Sequence, residues 1–367
     1  MPGLVNKLEI NRQIMIKCYM FGLWDPKDYD YQKELNEVKE LNPDYIFVNC
    51  LAEFEPKHIF KNLIAGITDW LVVNNKKMII LCSGPDGLEI APNVILEKTC
   101  GLQNLLAYRC ELSINESISG VEHGAYKWFT CYNNNPKYER ALLVDQLAAN
   151  HLLQHGIVTF HKPQSITSTP PEGFTWKYHD GSRLIDEPDY QLWYGEPGQQ
   201  EKYGCIYYPN SYFKGFVDVT CESSYYPNLF FMSEKTAKAI AGLKPFIALS
   251  CADYHKYLVD EYGMVLYDEL FDYSFDSKPN LHDRIQGIID NLNNLVQRDP
   301  SDIRKLHEIL LPKMLHNRQM ILDYSENKEK VIPKSLKFLT ETTEYELYGK
   351  IDSWDNLRFV MGKWMLK

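Results

Sequence analysis

The run Ser233-Glu234-Lys235-Thr236, with Lys238 one turn further on, combines a helix cap with charged side chains. Serine is a preferred N-cap residue, and the unpaired N–H groups of a helix start bind anions. Lys235 or Lys238 would neutralise phosphates, while Glu234 would accept hydrogen bonds from ribose hydroxyls. This chemistry suits a nucleotide diphosphate.

The same run also has a purely structural interpretation. A serine N-cap followed by a glutamate in the first turn is ordinary helix construction, because the carboxylate offsets the positive end of the helix dipole by about 0.3–1 kcal/mol. The surroundings of the run therefore decide between a plain cap and a ligand site.

Three acidic residues in the N-terminal part of the chain, Asp25, Glu53 and Asp86, follow predicted strands. Ligands of open parallel sheets bind beyond the carboxyl ends of the strands, so these acids are candidate catalytic bases, although acids in such turns also serve as caps or solvated charges. No G-x-G-x-x-G motif follows the first strand, where Gly22-Leu23-Trp24-Asp25-Pro26 stands instead. Its absence argues against an NAD-dependent dehydrogenase.

The elements that must position these residues alternate between strand and helix. In the first part, apolar runs predict strands at 14–21, 45–48, 78–82 and 94–96, with helices at 33–41 and 59–73. Continuous apolar strands alternating with helices predict a parallel sheet covered on both faces. We therefore expect a Rossmann-like domain over residues 1–125.

The second part repeats the alternation over residues 126–325. Strands are predicted at 128–132, 156–160, 216–220, 246–249 and 264–266, and helices at 141–155, from Ser233, at 253–262 and at 284–296. A C-terminal tail, 326–367, ends in a predicted helix at 354–365 that would pack back on the first domain. The predicted fold is α/β, with two Rossmann-like domains facing across a cleft.

The bulk composition limits the classes of protein and partner. The chain has 367 residues, is 45% hydrophobic and 24% charged, and holds no run near the roughly 20 apolar residues of a membrane span. We therefore expect a cytoplasmic protein with no membrane partner. A net charge of −10 argues against nucleic-acid binding by charge alone, without excluding a locally basic cleft.

Neither the cysteines nor the histidines predict a metal site. The nine cysteines include no C-x-x-C pair, and they indicate neither a zinc site nor a disulfide framework. His151 and His155 lie four residues apart on the predicted helix 141–155, which is the spacing of two metal ligands. No nearby Glu or Cys completes a site, so we predict no metal.

Two blocks of the chain resemble a known family. Phe129-Thr130-Cys131-Tyr132-Asn133, with Pro136 and Arg140, resembles a segment of glycosyltransferase-like proteins encoded by tailed phages and some bacteria. Ser233-Glu234-Lys235-Thr236 with Pro245-Phe246-Ile247 resembles their second block, which is similar to the donor-binding motif of fucosyltransferases. The resemblance extends over residues 127–320.

This resemblance implies a GT-B-like transferase whose second domain holds a nucleotide sugar, with a UDP-sugar as the expected donor and no further cofactor. Carried over, Glu234 would bind the ribose, and Lys235 with the helix start would bind the diphosphate. Asn133 and Arg140 would line the same cleft, and Glu222 matches an acid that precedes the motif.

The predicted donor-binding set is completed by residues of the helix itself, Ser233, Thr236 and Lys238. The chain departs from the family in one place. Asn134 and Asn135 stand where two arginines are common, which reduces the positive charge that this loop offers to phosphates.

The resemblance predicts transfer of a sugar to an acceptor hydroxyl. The acceptor suggested by the phage-like character is a hydroxymethylated pyrimidine in viral DNA, modified in the host cytoplasm; glycan, protein and small-molecule acceptors stay open. The alternative is a catalytically silent binding or structural virion protein that kept the fold. A phosphate-ester hydrolase is disfavoured, because the sequence offers no nucleophile motif or metal cluster.

Overall fold

The structure of the chain is a computed structural model that describes residues 16–21, 31–50, 61–82, 88–98, 127–133, 137–160, 212–222, 225, 230, 232–326, 337 and 345–349. The chain divides into two compact units, one formed by 1–99 with 332–367 and the other by 100–331. The sequence-based boundaries at 125 and 325 stay predictions, because residues next to both lie outside the described ranges.

The first unit is built on a six-stranded sheet with the order β10-β1-β2-β3-β5-β4. Its strands are β1 Ile16–Phe21, β2 Tyr45–Cys50, β3 Met78–Cys82, β4 Leu88–Ala91, β5 Val94–Lys98 and β10 Tyr345–Gly349. All neighbours are parallel except β4 and β5, which are antiparallel.

Two described helices of this unit, α1 Tyr31–Leu41 and α2 Lys61–Val73, bury an apolar stripe against the sheet. Leu63, Ile67 and Leu71 recur every four residues along α2, so they share one face, and all three are fully buried. They pack in one core with Ile46 of β2 and Ile80 of β3. The predicted parallel sheet of the first part is thereby confirmed.

Strand β10 was not predicted. It pairs in parallel with β1 at the edge of the sheet, where Gly349 stands opposite Met20. Gly349 has φ +85°, and a Cβ atom there would lie 2.2 Å from the carbonyl oxygen of Met20, so only glycine fits. The predicted tail helix, 354–365, lies outside the described residues.

The second unit holds a four-stranded parallel sheet with the order β7-β6-β8-β9. The strands are β6 Lys127–Asn133, β7 Gly156–Phe160, β8 Gly215–Cys221 and β9 Phe246–Leu249. From β6 the chain first passes to β7 on one side and later to β8 on the other. The order of the strands therefore reverses between β6 and β8, which is where ligands bind in sheets of this kind.

Five described helices accompany this sheet, namely α3 Tyr138–Ala149, α4 Glu234–Ala241, α5 Tyr254–Tyr262, α6 Leu281–Val296 and α7 Ile303–Glu326. The predicted apolar stripe of α6, which includes Ile288, Ile289 and Leu292, is fully buried in the core of this unit. The molecule is thus an α/β protein with two separate, mostly parallel sheets, consistent with two Rossmann-like domains. Within the described part of the chain, no helix is both long and apolar enough to cross a bilayer.

The predicted strand at 264–266 is wrong, because this segment pairs with a side chain instead of a strand. The amide of Asn317, on α7, accepts a hydrogen bond from the N–H of Val265 at 2.7 Å and donates one to its carbonyl oxygen at 2.9 Å. A carboxamide carries the same donor and acceptor as a peptide group, so Asn317 takes the place of a neighbouring strand.

The predicted helix 141–155 is also too long, so His151 and His155 do not share a helix face. Helix α3 ends at Ala149, and His151 has a left-handed backbone with φ 57°. The N–H groups of His151 and Leu152 donate to the carbonyl oxygens of Ala148 and Leu147, at 3.0 and 2.8 Å. This is a Schellman ending, which satisfies the last carbonyls and turns the chain away.

Candidate functional site

The sequence-predicted donor residues come together at the carboxyl ends of β6 and β8. Asn133 is the last residue of β6, and Glu222 follows the last residue of β8. Arg140 lies in the first turn of α3, which follows β6, and Ser233 caps α4, which follows β8. The reversal of strand order therefore places two loops and two helix starts at one edge of the sheet.

Arg140 is a buried cation attached to the end of β8. Its side chain is 2% exposed, and its Nη2 donates to the carbonyl oxygens of Cys221 at 3.3 Å and Glu222 at 3.4 Å. Because these carbonyls end a strand, the guanidinium links α3 to β8. The site therefore has a positive charge fixed at the carboxyl end of β8.

Glu222 joins the end of β8 to the starts of two helices. It is fully buried; one carboxylate oxygen accepts from the N–H of Ser233 at 3.0 Å, and the other accepts from the hydroxyls of Thr236 at 2.5 Å and Tyr254 at 3.1 Å. Burial and the nearby Glu222 carboxylate hold the pKa of Tyr254 well above its usual range, so its hydroxyl stays a donor. Glu222 thus positions the start of α4.

Helix α4 begins as its sequence predicts. Ser233 has an extended backbone, and its Oγ accepts from the N–H of Lys235 at 3.2 Å and from the Nζ of Lys235 at 3.3 Å. The cap pairs one N–H group of the first turn, and the first turn carries the positive end of the helix dipole. A negatively charged group at this end of α4 is therefore stabilised.

Asn133 brings an acceptor without a partner to the same edge. The side chain is fully buried, and its Nδ2 donates to the Sγ of Cys131 at 3.2 Å. Its Oδ1 is buried and has no hydrogen-bond partner among the described residues. A buried acceptor left unsatisfied costs about 1–3 kcal/mol, so a ligand hydroxyl or amide that donates to it would be stabilised.

An open cleft lies next to this edge, between α4 and the strands β6 and β8. It contains about 280 Å³ of empty space, part of which is open solvent. Its lining includes Tyr132, Tyr212, Asp218, Thr220, Lys235 and Lys238. Two lysines of α4 thus reach a cleft that the rings of Tyr132 and Tyr212 also line.

The aromatic rings and the lysines of the cleft are in contact. The rings of Tyr132 and Tyr212 stack with their centroids 6.0 Å apart. The Nζ of Lys238 lies 4.4 Å from the centroid of Tyr212 and 5.6 Å from that of Tyr132. A second lysine Nζ, that of Lys244, lies 3.9 Å from the centroid of Tyr212. The ring attracts each lysine in its protonated form by a cation–π interaction.

Asp218 and Lys244 form a buried polar network behind the cleft. The Asp218 carboxylate accepts from the hydroxyls of Thr130 at 2.9 Å and Tyr212 at 2.6 Å. Lys244 donates to the Oγ1 of Thr130 at 2.8 Å and to the carbonyl oxygen of Tyr212 at 2.7 Å. Burial lowers the pKa of Lys244 to about 7, with Asp218 opposing the shift and Lys238 adding to it.

A histidine–aspartate pair at the start of α5 is structural. The Nε2 of His255 accepts from the N–H of Ala248 at 3.0 Å, which leaves the proton on Nδ1, and Nδ1 donates to Asp276 at 2.7 Å. The other Asp276 oxygen accepts from the N–H groups of His255 and Lys256. Both ring nitrogens are used inside the protein, so His255 is not available as a base.

Hydrogen bonds link four members of the predicted donor-binding set, Arg140, Glu222, Ser233 and Thr236. Lys235 and Lys238 line the cleft, whereas Asn133 ends β6 and is not among the residues that line it. The backbone of Glu234 begins α4, but its side chain lies outside the described atoms. The candidate bases Asp25, Glu53 and Asp86 lie outside the described residues, and they stay predictions.

Sequence reasoning missed the residues that line or support the cleft from the strands, namely Tyr132, Tyr212, Asp218, Thr220 and Lys244. One signal was present. Asp218 and Thr220 alternate with apolar residues along β8, which places both side chains on one face of the sheet. Nothing in the local sequence marks Lys244, because its partners lie far away along the chain.

Among the described residues, no group of three or more His, Cys, Asp or Glu side chains is placed to hold a metal ion. Comparison of the chain with protein-family models, with curated proteins and with solved structures gave no match.

Proposed function

We propose that the protein is a nucleotide-sugar-dependent glycosyltransferase whose second unit binds the donor. The observation that carries the proposal is the position of the α4 start, which lies at the reversal of strand order beside Arg140 and an open cleft. Charge and geometry at this place suit an anionic leaving group.

The chemistry of sugar transfer supports the proposal. A diphosphate leaves as positive charge develops on the sugar, so the enzyme must stabilise negative charge on the leaving group. The helix start and the ammonium of Lys235 supply that stabilisation without a metal ion. The family resemblance assigns Asn133 to the donor site, and its buried Oδ1, which has no hydrogen-bond partner among the described residues, is an acceptor that a donor hydroxyl would satisfy.

The finer parts of the proposal rest on the family resemblance. According to this resemblance, Glu234 binds the ribose, Lys235 binds the diphosphate of a UDP-sugar, and the protein is a GT-B-like transferase. The acceptor is a hydroxyl group such as that of a hydroxymethylated pyrimidine in phage DNA, modified in the host cytoplasm. The base would be one of the acids that follow the strands of the first unit, Asp25, Glu53 or Asp86.

A panel of uridine, guanosine and cytidine diphosphate sugars tests the proposal. We expect one nucleotide class to raise the melting temperature selectively, because a ligand at 100 times its Kd stabilises the folded state by about 2.7 kcal/mol. We also expect slow release of nucleoside diphosphate from that donor, followed by chromatography. If no nucleotide sugar shifts the melting temperature, the proposal is wrong.

A second candidate is a catalytically silent binding or structural protein that kept the fold. The hydrogen bonds of Asp218, the carboxylate among the described residues that line the cleft, favour this candidate. Asp218 lines the cleft, yet hydroxyls of Thr130 and Tyr212 bind its two oxygens, so it is poorly placed to act as a base. A protein of this kind would bind a nucleotide sugar and release no nucleoside diphosphate. The chromatographic assay therefore separates the two candidates.

A further inference from the structure

Two lysine amino groups share one aromatic ring at the cleft. Lys238 reaches the Tyr212 ring from α4, and Lys244 reaches it from the loop before β9, at 4.4 and 3.9 Å from its centroid. The Lys244 side chain is 1% exposed and is held by hydrogen bonds to Thr130 and Tyr212. Its charge therefore depends on its neighbours more than on water.

The charged and titratable neighbours of Lys244 come from three elements. Asp218 on β8 favours the ammonium form, and Lys238 on α4 disfavours it. Tyr212, in the turn before β8, donates its hydroxyl proton to Asp218 and offers its carbonyl oxygen to Lys244. An additional negative group close to Lys238 would shift the protonation equilibrium of Lys244 towards the ammonium form.

We propose that an anionic group binds in the cleft at Lys235 and Lys238 and that its binding is coupled to uptake of a proton by Lys244. Lys244 is thus a positioning residue that holds Tyr212 and sets the affinity of the cleft for the anion. The identification of the anion as the diphosphate of the donor rests on the proposed function, whereas the coupling itself does not.

The coupling follows from electrostatic reciprocity. An anion beside Lys238 offsets the repulsion between the two ammonium groups, so it stabilises the proton on Lys244. Because linkage is reciprocal, protonation of Lys244 strengthens anion binding by the same factor. The pKa of Lys244, about 7, leaves much of it neutral near physiological pH. Affinity should therefore fall as the pH rises above 7, by at most about tenfold per pH unit for one proton.

Calorimetry with inorganic pyrophosphate tests the coupling without a nucleoside. Binding is measured at pH 7.5 in two buffers of different ionisation enthalpy, which gives the number of protons taken up. Pyrophosphate itself titrates in this range, so the measured quantity is the difference between wild type and Lys244→Arg, which keeps the charge and does not titrate. We expect wild type to take up a fraction of a proton more than Lys244→Arg does when pyrophosphate binds.

The control is Lys305→Met, which removes an exposed lysine of α7 and should leave proton uptake unchanged. Equal uptake in wild type and Lys244→Arg would overturn the proposal. If Lys244→Arg does not fold, NMR of ¹³C-labelled lysine side chains in wild type replaces it. One lysine should then titrate near pH 7 and move to higher pH with pyrophosphate; titration of all lysines above pH 9 would overturn the proposal.

The outcomes also separate this inference from the proposed function. Proton-coupled pyrophosphate binding without any response to nucleotide sugars supports the inference and contradicts the transferase. Release of nucleoside diphosphate from a sugar donor, with no difference in proton uptake, supports the transferase and contradicts the inference.

Discussion

A buried carboxylate from outside the helix holds the start of both α4 and α5. Glu222 binds the N–H of Ser233 at the start of α4, and Asp276 binds the N–H groups of His255 and Lys256 at the start of α5. Both carboxylates belong to segments outside the helix that they hold. In each case a fixed acceptor satisfies donors that the helix itself leaves open.

The surroundings of these two helix starts differ. At α5 the hydrogen bonds of His255 and Asp276 close on each other and on backbone groups. At α4 the first turn borders an open cleft, which Lys235 and Lys238 line. A carboxylate at a helix start is therefore no sign of a ligand site by itself; the open cleft beside α4 is what distinguishes it from α5.

The largest effect on stability is expected for Asp276→Ala. It leaves the N–H groups of His255 and Lys256 and the imidazole without their acceptor, which should cost about 3 kcal/mol in the free energy of unfolding at pH 7. Urea denaturation measures this loss, with Asp260→Ala, an exposed carboxylate of α5, as the control. UDP binding should change less than twofold; a larger loss would mean that the α5 start belongs to the site.

The loss of unfolding free energy in Asp276→Ala should depend on pH. Although burial raises the pKa of Asp276, the hydrogen bonds from His255 and from backbone N–H groups hold it below its ordinary value in the folded state. Its contribution is therefore present above the unfolded pKa of about 3.9 and is lost as the pH falls through the folded pKa. The difference in unfolding free energy between wild type and Asp276→Ala should shrink below about pH 4.

Lys244→Met should also change the pH dependence of stability, in this case through a buried amine instead of a hydrogen-bonded carboxylate. The folded pKa is about 7 and the unfolded pKa is about 10.4, so between these values the unfolded state binds more protons. The unfolding free energy of wild type relative to the variant should rise from pH 7 to pH 10, by at most about 1.4 kcal/mol per pH unit. Parallel stability curves for the two proteins would contradict the burial of a neutral amine.

Glu222→Gln should affect both stability and binding. The amide keeps the size of the side chain but replaces one acceptor oxygen by a donor, so one of the groups bound by Glu222 loses its partner, at a cost of about 1–3 kcal/mol. The start of α4 should then be less well positioned, and UDP affinity should fall in calorimetry. Destabilisation with unchanged affinity would show that Glu222 acts at α4 as Asp276 does at α5.

The smallest effect on stability is expected for Lys235→Ala. Lys235 is partly exposed at the cleft, so the unfolding free energy should change by less than about 0.5 kcal/mol. UDP should bind about tenfold more weakly, because a charge-assisted contact to phosphate is lost. Lys305→Ala is the matched exposed control, and equal affinities of the two variants would remove Lys235 from the site.

Much of this fold follows from local pattern. The apolar periodicity of α6, the continuous apolar run of β3 and the Ser233 cap each depend on neighbouring residues, and each was predicted from them. The helix 141–155 was predicted too long, because a histidine gives little sign that it will adopt the left-handed backbone that ends α3.

The candidate site was predictable in part. The residue types of the run Ser233 to Lys238 suggest phosphate chemistry by themselves, whereas Asn133 and Arg140 were assigned to the site only by the family resemblance. The walls of the cleft come from separate strands, and the position of Tyr212 and Asp218 beside Lys238 follows only from the order β7-β6-β8-β9.

The sequence by itself determined the alternation of buried strands and helices and the charged start of α4, because both depend on residues within a few positions of each other. The tertiary structure decided which distant residues and strands contact each other. Lys244 meets Thr130 across 114 positions, Asn317 replaces a strand beside Val265, and β10 joins β1 from the other end of the chain. Burial and hydrogen bonding depend on proximity in space, so the charge state of Lys244 and the exposure of Lys235 are properties of the folded molecule.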